Sequence, residues 1–320
     1  MPKRNYKYIK LILGWKQREA FMQDLAIVRT KRLHKVVNSF ATSIDRLSAL
    51  SVSMSEIAYR VRREQWSMDY SIFKVHHIIP EPLTNFNISP ECRVEFDRQI
   101  EKFNSLPRPK LSEFMATWGA GYIIMMLDAS TGMRESIEAL LCSVIIESWT
   151  TFETLSSDLL VSAVDVGPAR LRQRMIRRAV KPEWSHDEQE DVEDLEYDPA
   201  KKFGSALLES GGISFRSLRL IKKNYELVFG AKIKTAFEAE DGYIDVLSAY
   251  RNALVHNAGR ADRTFTKQVK GFPQFEKIKK KTKLALDGEL VAKFKTTAAS
   301  VGAKLIHFVD DVLTPIQRCL

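Results

Sequence analysis

The sequence of 320 residues predicts an all-α protein, and three of its patterns support that prediction. No glycine or proline occurs between Trp15 and Ile79, which favours long helices over strands. Within that stretch, and again near the carboxyl end, apolar residues recur at steps of three and four. A third helical pattern, at residues 243–259, carries a cluster of polar side chains. The predicted architecture is a helical bundle with a long-helix extension at its amino end.

The amino-terminal extension is predicted to span residues 1–110. Its main helix carries a continuous apolar seam, which consists of Val37, Phe40, Ile44, Leu47, Leu50, Met54, Ile57 and Val61. The seam needs a partner, and two remain open: the carboxy-terminal bundle of the same chain, or the same helix of a second copy. Five prolines from Pro80 to Pro109 then break the helical pattern, so we place the domain boundary at 105–110.

The second predicted domain, residues 111–320, contains a series of helices. The first core helix includes residues 144–155 and ends at Gly167-Pro168. A basic helix follows, then an acidic run at 187–198, and further helices are predicted at 198–212 and 215–230. Residues 261–287 are predicted as a loop with at most a short hairpin, before a last helix at 289–313.

Composition and short motifs exclude several classes of protein. No apolar run reaches the roughly 18 residues that span a bilayer, and the amino end lacks a secretory apolar core, so we expect a cytoplasmic protein without membrane association. Three widely separated cysteines suit a reducing compartment and form no zinc motif. The pair His76-His77 lacks a third ligand at suitable spacing, and the glycines form no phosphate-binding loop, so we expect neither a metal nor a cofactor.

Most of the excess positive charge lies at the amino end. Residues 1–70 hold 14 Lys and Arg against 6 Asp and Glu, within a chain of net charge +9. Basic residues interleaved with aromatic ones suit a phosphate backbone with exposed bases, and the candidates for RNA binding here are Lys3, Arg4, Lys7 and Lys10. The basic helix adds the weaker candidates Arg170, Arg174 and Arg177, and the predicted loop adds a lysine cluster at 277–283. An ordinary solvated surface is the alternative in each case.

The most specific pattern is the predicted helix at 243–259, which contains RNALVH and ends at Asn257-Ala258-Gly259. At about 100° per residue, one face carries the apolar residues Tyr243, Leu247, Tyr250 and Leu254. The opposite face carries compact hydrogen-bonding groups instead of Lys and Glu, namely Asp245, Ser248, Asn252 and His256. This second face indicates a site or an interface.

Arg251 and His256 suit phosphodiester chemistry. The planar guanidinium fork binds phosphate and does not lose its proton. A histidine, with an ordinary pKa of about 6.5, serves as an acid or a base near neutral pH. A purely structural alternative is that His256 caps the terminal carbonyls while Arg251 pairs with a carboxylate in the core.

The sequence RNALVHNAG at residues 251–259 resembles the R-N-x3-H motif, followed by N-x-G, that the HEPN superfamily carries in its third helix. Residues 144–155, with aromatic residues ahead of Glu153, are similar to the first core helix of that family. The resemblance extends over residues 115–318, about two thirds of the chain.

This resemblance implies a helical bundle that pairs with a second copy, so that two motifs form one cleft. In catalytic HEPN proteins the cleft is a metal-independent endoribonuclease that leaves a cyclic phosphate end. By analogy, His256 manages the 2′-hydroxyl proton, Arg251 holds the scissile phosphate and Asn252 orients the site. The residues expected to support them are Glu153, Asp245 and Ser248.

Two alternatives to the nuclease remain open. The first is a non-catalytic HEPN-type module that binds nucleic acid or a partner protein. The second is a plain helical assembly protein. The implied partners are RNA, a second copy of the chain, and an antitoxin or nucleotidyltransferase. Phage defence, toxicity and housekeeping are all compatible with the sequence.

Overall fold

The computed structural model describes residues 18–49, 131–179, 203–204, 208 and 213–317. Of the described residues 79% are helical and none forms a strand, so the predicted all-α class is confirmed for this part of the chain. One isolated antiparallel bridge joins Arg260 and Lys283. No helix within the described ranges is long and apolar enough to cross a membrane.

The helices of the described residues are α1 (Arg18–Leu25), α2 (34–49), α3 (Thr131–Val166), α4 (Ala169–Ala179), α5 (Leu218–Phe229), α6 (Lys234–Phe237), α7 (Tyr243–His256), α8 (Arg263–Gln268) and α9 (Gly288–Gln317). The predicted end of the first core helix at Gly167-Pro168 is confirmed. The prediction of a loop with at most a short hairpin at 261–287 is wrong in one respect, because α8 and a 3-10 turn at Pro273–Phe275 lie there. Buried Phe265 and Phe275 pack this short segment onto the bundle, which sequence periodicity does not reveal.

The chain forms two compact units. The first comprises Met1–Trp15 and Ala49–Glu138, and only Ala49 and residues 131–138 of it are described. The second comprises Lys16–Ser48 and Ala139–Leu320. Residues 18–48, assigned above to the extension, therefore share a compact unit with the motif helix. The predicted boundary at 105–110 lies outside the described residues.

In the second unit α2 packs against α3 and α9 at Gly302. A Cβ atom on Gly302 would lie 2.4 Å from Cζ of Phe40 and 2.8 Å from Cδ2 of Leu155, so the missing side chain lets these helices approach closely. The four described members of the apolar seam are buried: Val37, Phe40, Ile44 and Leu47. This part of the seam thus packs within its own chain, while Leu50 to Val61 lie outside the described residues.

The connection between α1 and α2 is attached to α9 through Asp310, which is 3% exposed. Its carboxylate accepts hydrogen bonds from the backbone N–H groups of Arg29 at 3.1 Å and Thr30 at 2.8 Å, and from Nε of Arg29 at 3.2 Å. Burial acts to raise the pKa of Asp310, but the hydrogen bonds from Thr30 and Arg29 outweigh burial and hold the pKa below its usual value. These bonds satisfy the backbone where the helix breaks without a glycine or proline.

Helix α7 is fixed in the bundle by a cluster of aromatic rings around Tyr250. The centroid of Tyr250 lies 5.3 Å from that of Phe265, 5.7 Å from Phe275 and 5.1 Å from Phe294. These partners belong to α8, the 3-10 turn and α9. Because edge-to-face aromatic pairs have a preferred geometry, the cluster sets the position of α7 as well as burying its surface.

Candidate functional site

The middle of α7 is buried, and its last turn reaches the surface. Residues 244 and 246–250 are each at most 2% exposed, on both faces of the helix. Asn252 is half-buried, Val255 is 46% exposed and His256 is exposed. The predicted polar face is therefore not a continuous surface, because Ser248 is 2% exposed. The physical reason is that α7 has neighbours on several sides: α8 and α9 at Tyr250, and α5 at Asp245.

Arg251 lies at the border between the buried and the exposed part of α7 and is half-buried. Its Nη1 donates a hydrogen bond to Oδ1 of Asn252 at 3.1 Å. Its Nε–H is buried and has no hydrogen-bond partner among the described residues. A buried donor without an acceptor costs about 1–3 kcal/mol. Within the described ranges no carboxylate accepts a hydrogen bond from Arg251, so the expected structural pairing is not found there.

His256 is the last residue of α7 and is exposed. The helix ends without its help, because the N–H groups of Asn257 and Gly259 both donate to the Ala253 carbonyl oxygen, at 3.0 and 2.9 Å. Ala258 and Gly259 adopt positive φ angles of 47° and 71°, which turn the chain back on itself. The Ala253 carbonyl is thus satisfied by backbone donors, and the imidazole is exposed at the same helix end.

The turn after α7 is held by its own side chains. Nδ2 of Asn257 donates to Oδ2 of Asp262 at 3.1 Å, and Oδ1 of Asp262 accepts from the N–H of Phe265 at 2.7 Å. Asp262 is thereby the N-cap of α8. This arrangement gives the N-x-G part of the motif a structural role: it fixes the path of the chain directly beyond His256.

The supporting residues predicted from the sequence bind other partners. Both carboxylate oxygens of Asp245 accept from Nζ of Lys222, at 2.9 and 2.8 Å, which ties α7 to α5. Glu153 accepts from Nε1 of Trp149 at 3.0 Å. In the described part of the chain neither carboxylate shares a hydrogen bond with Arg251 or His256. Asp245 therefore links α7 to α5, whereas the bond to Glu153 lies within α3.

The structure describes some of the predicted RNA-binding residues and not others. The four at the amino end, Lys3 to Lys10, lie outside the described residues, as does His76-His77. Arg170 is exposed on α4, and the backbone of Arg177 belongs to the same helix. Nη1 of Arg174 donates to the Val228 carbonyl at 2.7 Å, so this residue also binds the last turn of α5. No group of three His, Cys, Asp or Glu side chains among the described residues could hold a metal ion.

A run of exposed basic residues follows the motif, and the sequence analysis identifies only part of it. The sequence pattern indicates the lysines at 277–283 as candidates but does not single out Arg260, Arg263, Lys267 and Lys270. Their positions depend on α8 and on the bridge between Arg260 and Lys283, both of which arise from tertiary packing. The available signal was composition, since residues 260–283 contain nine Lys and Arg against two Asp and Glu.

Comparison with protein-family models, with curated proteins and with solved structures finds no match to this chain. The resemblance to the HEPN superfamily therefore rests on RNALVHNAG and the residues around it.

Proposed function

We propose that this chain is a metal-independent endoribonuclease of the HEPN type that acts as a homodimer, with Arg251, Asn252 and His256 in the active site. One observation carries the proposal: Arg251 keeps a buried, unpaired Nε–H beside the exposed last turn that bears His256. Among the described residues no carboxylate accepts a hydrogen bond from this half-buried guanidinium, and its planar fork suits a phosphate. Backbone N–H groups also cap the Ala253 carbonyl without His256.

The chemistry follows from the types of side chain. His256 accepts the proton of a ribose 2′-hydroxyl while that oxygen bonds to the adjacent phosphorus. The bond from phosphorus to the 5′ oxygen breaks, and that oxygen takes up a proton as it leaves. The products are a 2′,3′-cyclic phosphate and a 5′-hydroxyl. Arg251 stabilises the charge on the non-bridging oxygens, and Asn252 orients the guanidinium through the bond to Nη1.

A second copy completes the proposed site. Arg251 and His256 project about 140° apart on one helix, so a single α7 does not direct both groups at one phosphate. Two α7 helices related by a two-fold axis would place Arg251 of one copy beside His256 of the other, twice.

The test is RNA cleavage by the full chain in the presence of EDTA. We expect His256→Ala to reduce the rate by about 10²–10⁴-fold, the usual contribution of general acid–base catalysis. His307→Ala is the matched control, since His307 bonds Asp24 at 2.9 Å on another part of the molecule and should retain the wild-type rate. Equal rates for wild type and His256→Ala, or no cleavage of any RNA by wild type, would leave only the non-catalytic binding module.

Mixing inactive chains tests the shared site. A mixture of Arg251→Ala and His256→Ala chains should recover part of the cleavage, because each heterodimer restores one wild-type pair of residues. Sedimentation should report a dimer, and a fully active monomer would contradict the proposed geometry. From the same resemblance we also propose a toxin or phage-defence setting, with an antitoxin or nucleotidyltransferase as partner. A survey of RNA ends in cells that express the chain tests that setting.

A further inference from the structure

The segment that follows the motif helix is the most basic described part of the chain. Residues 260–283 contain nine Lys and Arg and two Asp and Glu, a balance of +7 in a chain of net charge +9. All nine basic side chains are exposed: Arg260, Arg263, Lys267, Lys270, Lys277, Lys279, Lys280, Lys281 and Lys283. We call this set the basic surface. Such a concentration of one sign of charge attracts a polyanion.

The basic surface has a folded support. Phe265, Val269, Phe275 and Leu284 are buried at 6% exposure or less, so the apolar side chains of the segment point into the bundle. Of the two acidic residues, Asp262 is engaged as the N-cap of α8 and as the acceptor from Asn257. The positive charges are therefore held on a fixed scaffold, which lowers the entropy lost when they bind a ligand together.

Backbone hydrogen bonds place the lysine cluster beside the end of α7. The N–H of Lys281 donates to the Ala261 carbonyl at 2.7 Å, and the N–H of Ala261 donates to the Thr282 carbonyl at 2.9 Å. The N–H of Leu284 donates to the Gly259 carbonyl at 2.8 Å. Gly259 is only three residues beyond His256. A strand bound along the basic surface would thus pass close to the exposed imidazole.

We infer that the basic surface binds the phosphate backbone of single-stranded RNA and guides it to His256. This inference rests on the proposed function, which supplies RNA as the polyanion. A membrane fits less well, because the large exposed apolar side chains of the described residues are Ile27, Leu208 and Val255, all outside the segment. A lipid surface would need apolar anchors beside the charges. Lysines that contact phosphates give affinity without base specificity.

The experiment compares two triple variants in the His256→Ala background, so that the probe is not cleaved. One carries Lys277→Gln, Lys279→Gln and Lys280→Gln. The matched control removes three equally exposed charges elsewhere, with Arg219→Gln, Lys223→Gln and Lys232→Gln. Fluorescence anisotropy measures binding of a labelled single-stranded RNA of about 20 nucleotides, longer than most single-strand sites. The matching DNA and vesicles rich in phosphatidylserine are the other probes.

The affinity constant K falls as salt rises, and each phosphate contact to a single strand contributes about 0.7 to the steepness of log K against log salt. Loss of three contacts should therefore make this slope shallower by about 2. We expect at least tenfold weaker RNA binding for the basic-surface variant and near wild-type binding for the control. An equal loss in both variants, unchanged binding in the basic-surface variant, or stronger binding to the vesicles than to RNA would overturn the inference. If the matching DNA binds as tightly as the RNA, the basic surface still binds phosphates, but the claim that it is specific for RNA is wrong.

Cleavage assays keep this inference separate from the proposed function. With His256 restored, the basic-surface variant should show a raised KM and a nearly unchanged kcat, because the lost contacts bind RNA without touching the reacting atoms. An unchanged KM in an active enzyme overturns the inference and leaves the nuclease intact. RNA that binds through the basic surface but is never cleaved by wild type rejects the nuclease and retains the binding surface.

Discussion

Replacing Arg251 by methionine distinguishes a functional arginine from a structural one. The substitution keeps an unbranched stem that can fill the same space and removes the guanidinium. It eliminates the buried Nε–H that has no partner among the described residues, which relieves about 1–3 kcal/mol. It also removes the bond from Nη1 to Asn252, worth about 1 kcal/mol. The net expectation is a free energy of unfolding that is unchanged or raised by up to about 2 kcal/mol, with loss of RNA cleavage.

The assay is urea-induced unfolding of the full chain, followed by circular dichroism and by hydrogen exchange of peptides from α7. Arg29→Met is the matched control, because Arg29 donates to the buried carboxylate of Asp310 from its Nε at 3.2 Å. That variant leaves the buried carboxylate of Asp310 with fewer donors, so its urea midpoint should fall below that of the wild type. Destabilisation of Arg251→Met by more than about 1 kcal/mol would refute the reasoning and return Arg251 to a structural role.

Three further predictions concern the free energy of unfolding of the second unit, measured in the same way. Burial lowers the pKa of Lys295 from 10.5 to about 8, so Lys295→Met should stabilise the fold at pH 7 by up to about 3 kcal/mol. The gain in stability should shrink as pH rises from about 8 to 10.5, because the folded lysine is then neutral and the lysine of the unfolded chain loses its proton. Lys304→Met is the control, since Lys304 is exposed on the same helix and its replacement should have little effect. Asp310→Asn should cost about 3 kcal/mol at neutral pH, and the difference from wild type should fall as pH drops below the usual carboxyl value of 3.8, since the pKa of Asp310 is held lower still. Gly302→Ala should destabilise by about 1–2 kcal/mol despite a better helix propensity, because its Cβ would lie 2.4 Å from Cζ of Phe40, and adding Phe40→Leu should restore part of the loss.

The fold was predictable where local sequence and tertiary packing agree. Helix α3 ends at Gly167-Pro168. A Cβ atom at Gly167 would lie 2.5 Å from the Ala163 carbonyl oxygen, so the backbone there requires glycine. Proline has no N–H group to continue the helical hydrogen bonds. The spacing of apolar residues likewise located α9 to within a few residues. Helix α8 was not predicted, since six residues are too few for a periodic signal and its stability comes from Phe265 against Tyr250.

The candidate site shows the same division. Arg251, Asn252 and His256 could be named from the sequence because the motif is local to one helix. The environment of the opposite face could not, because the burial of Ser248 and the bond from Lys222 to Asp245 depend on which helices cover α7. A helical projection separates two faces of a cylinder, but it does not tell how many neighbours the cylinder has.

The change from buried to exposed along α7 matters for the proposed chemistry. Tyr250 is 1% exposed and packs against three other aromatic rings. Arg251 is the next residue, so the backbone that carries its guanidinium is held in place by this packing. His256 lies beyond the last covered turn, where a second copy and a substrate can both reach it. A site that binds a flexible polymer benefits from this order, because the phosphate is held by a fixed cation while the acid–base group stays accessible to the ribose. The basic surface extends the same end of the helix, so binding and chemistry would share one side of the molecule.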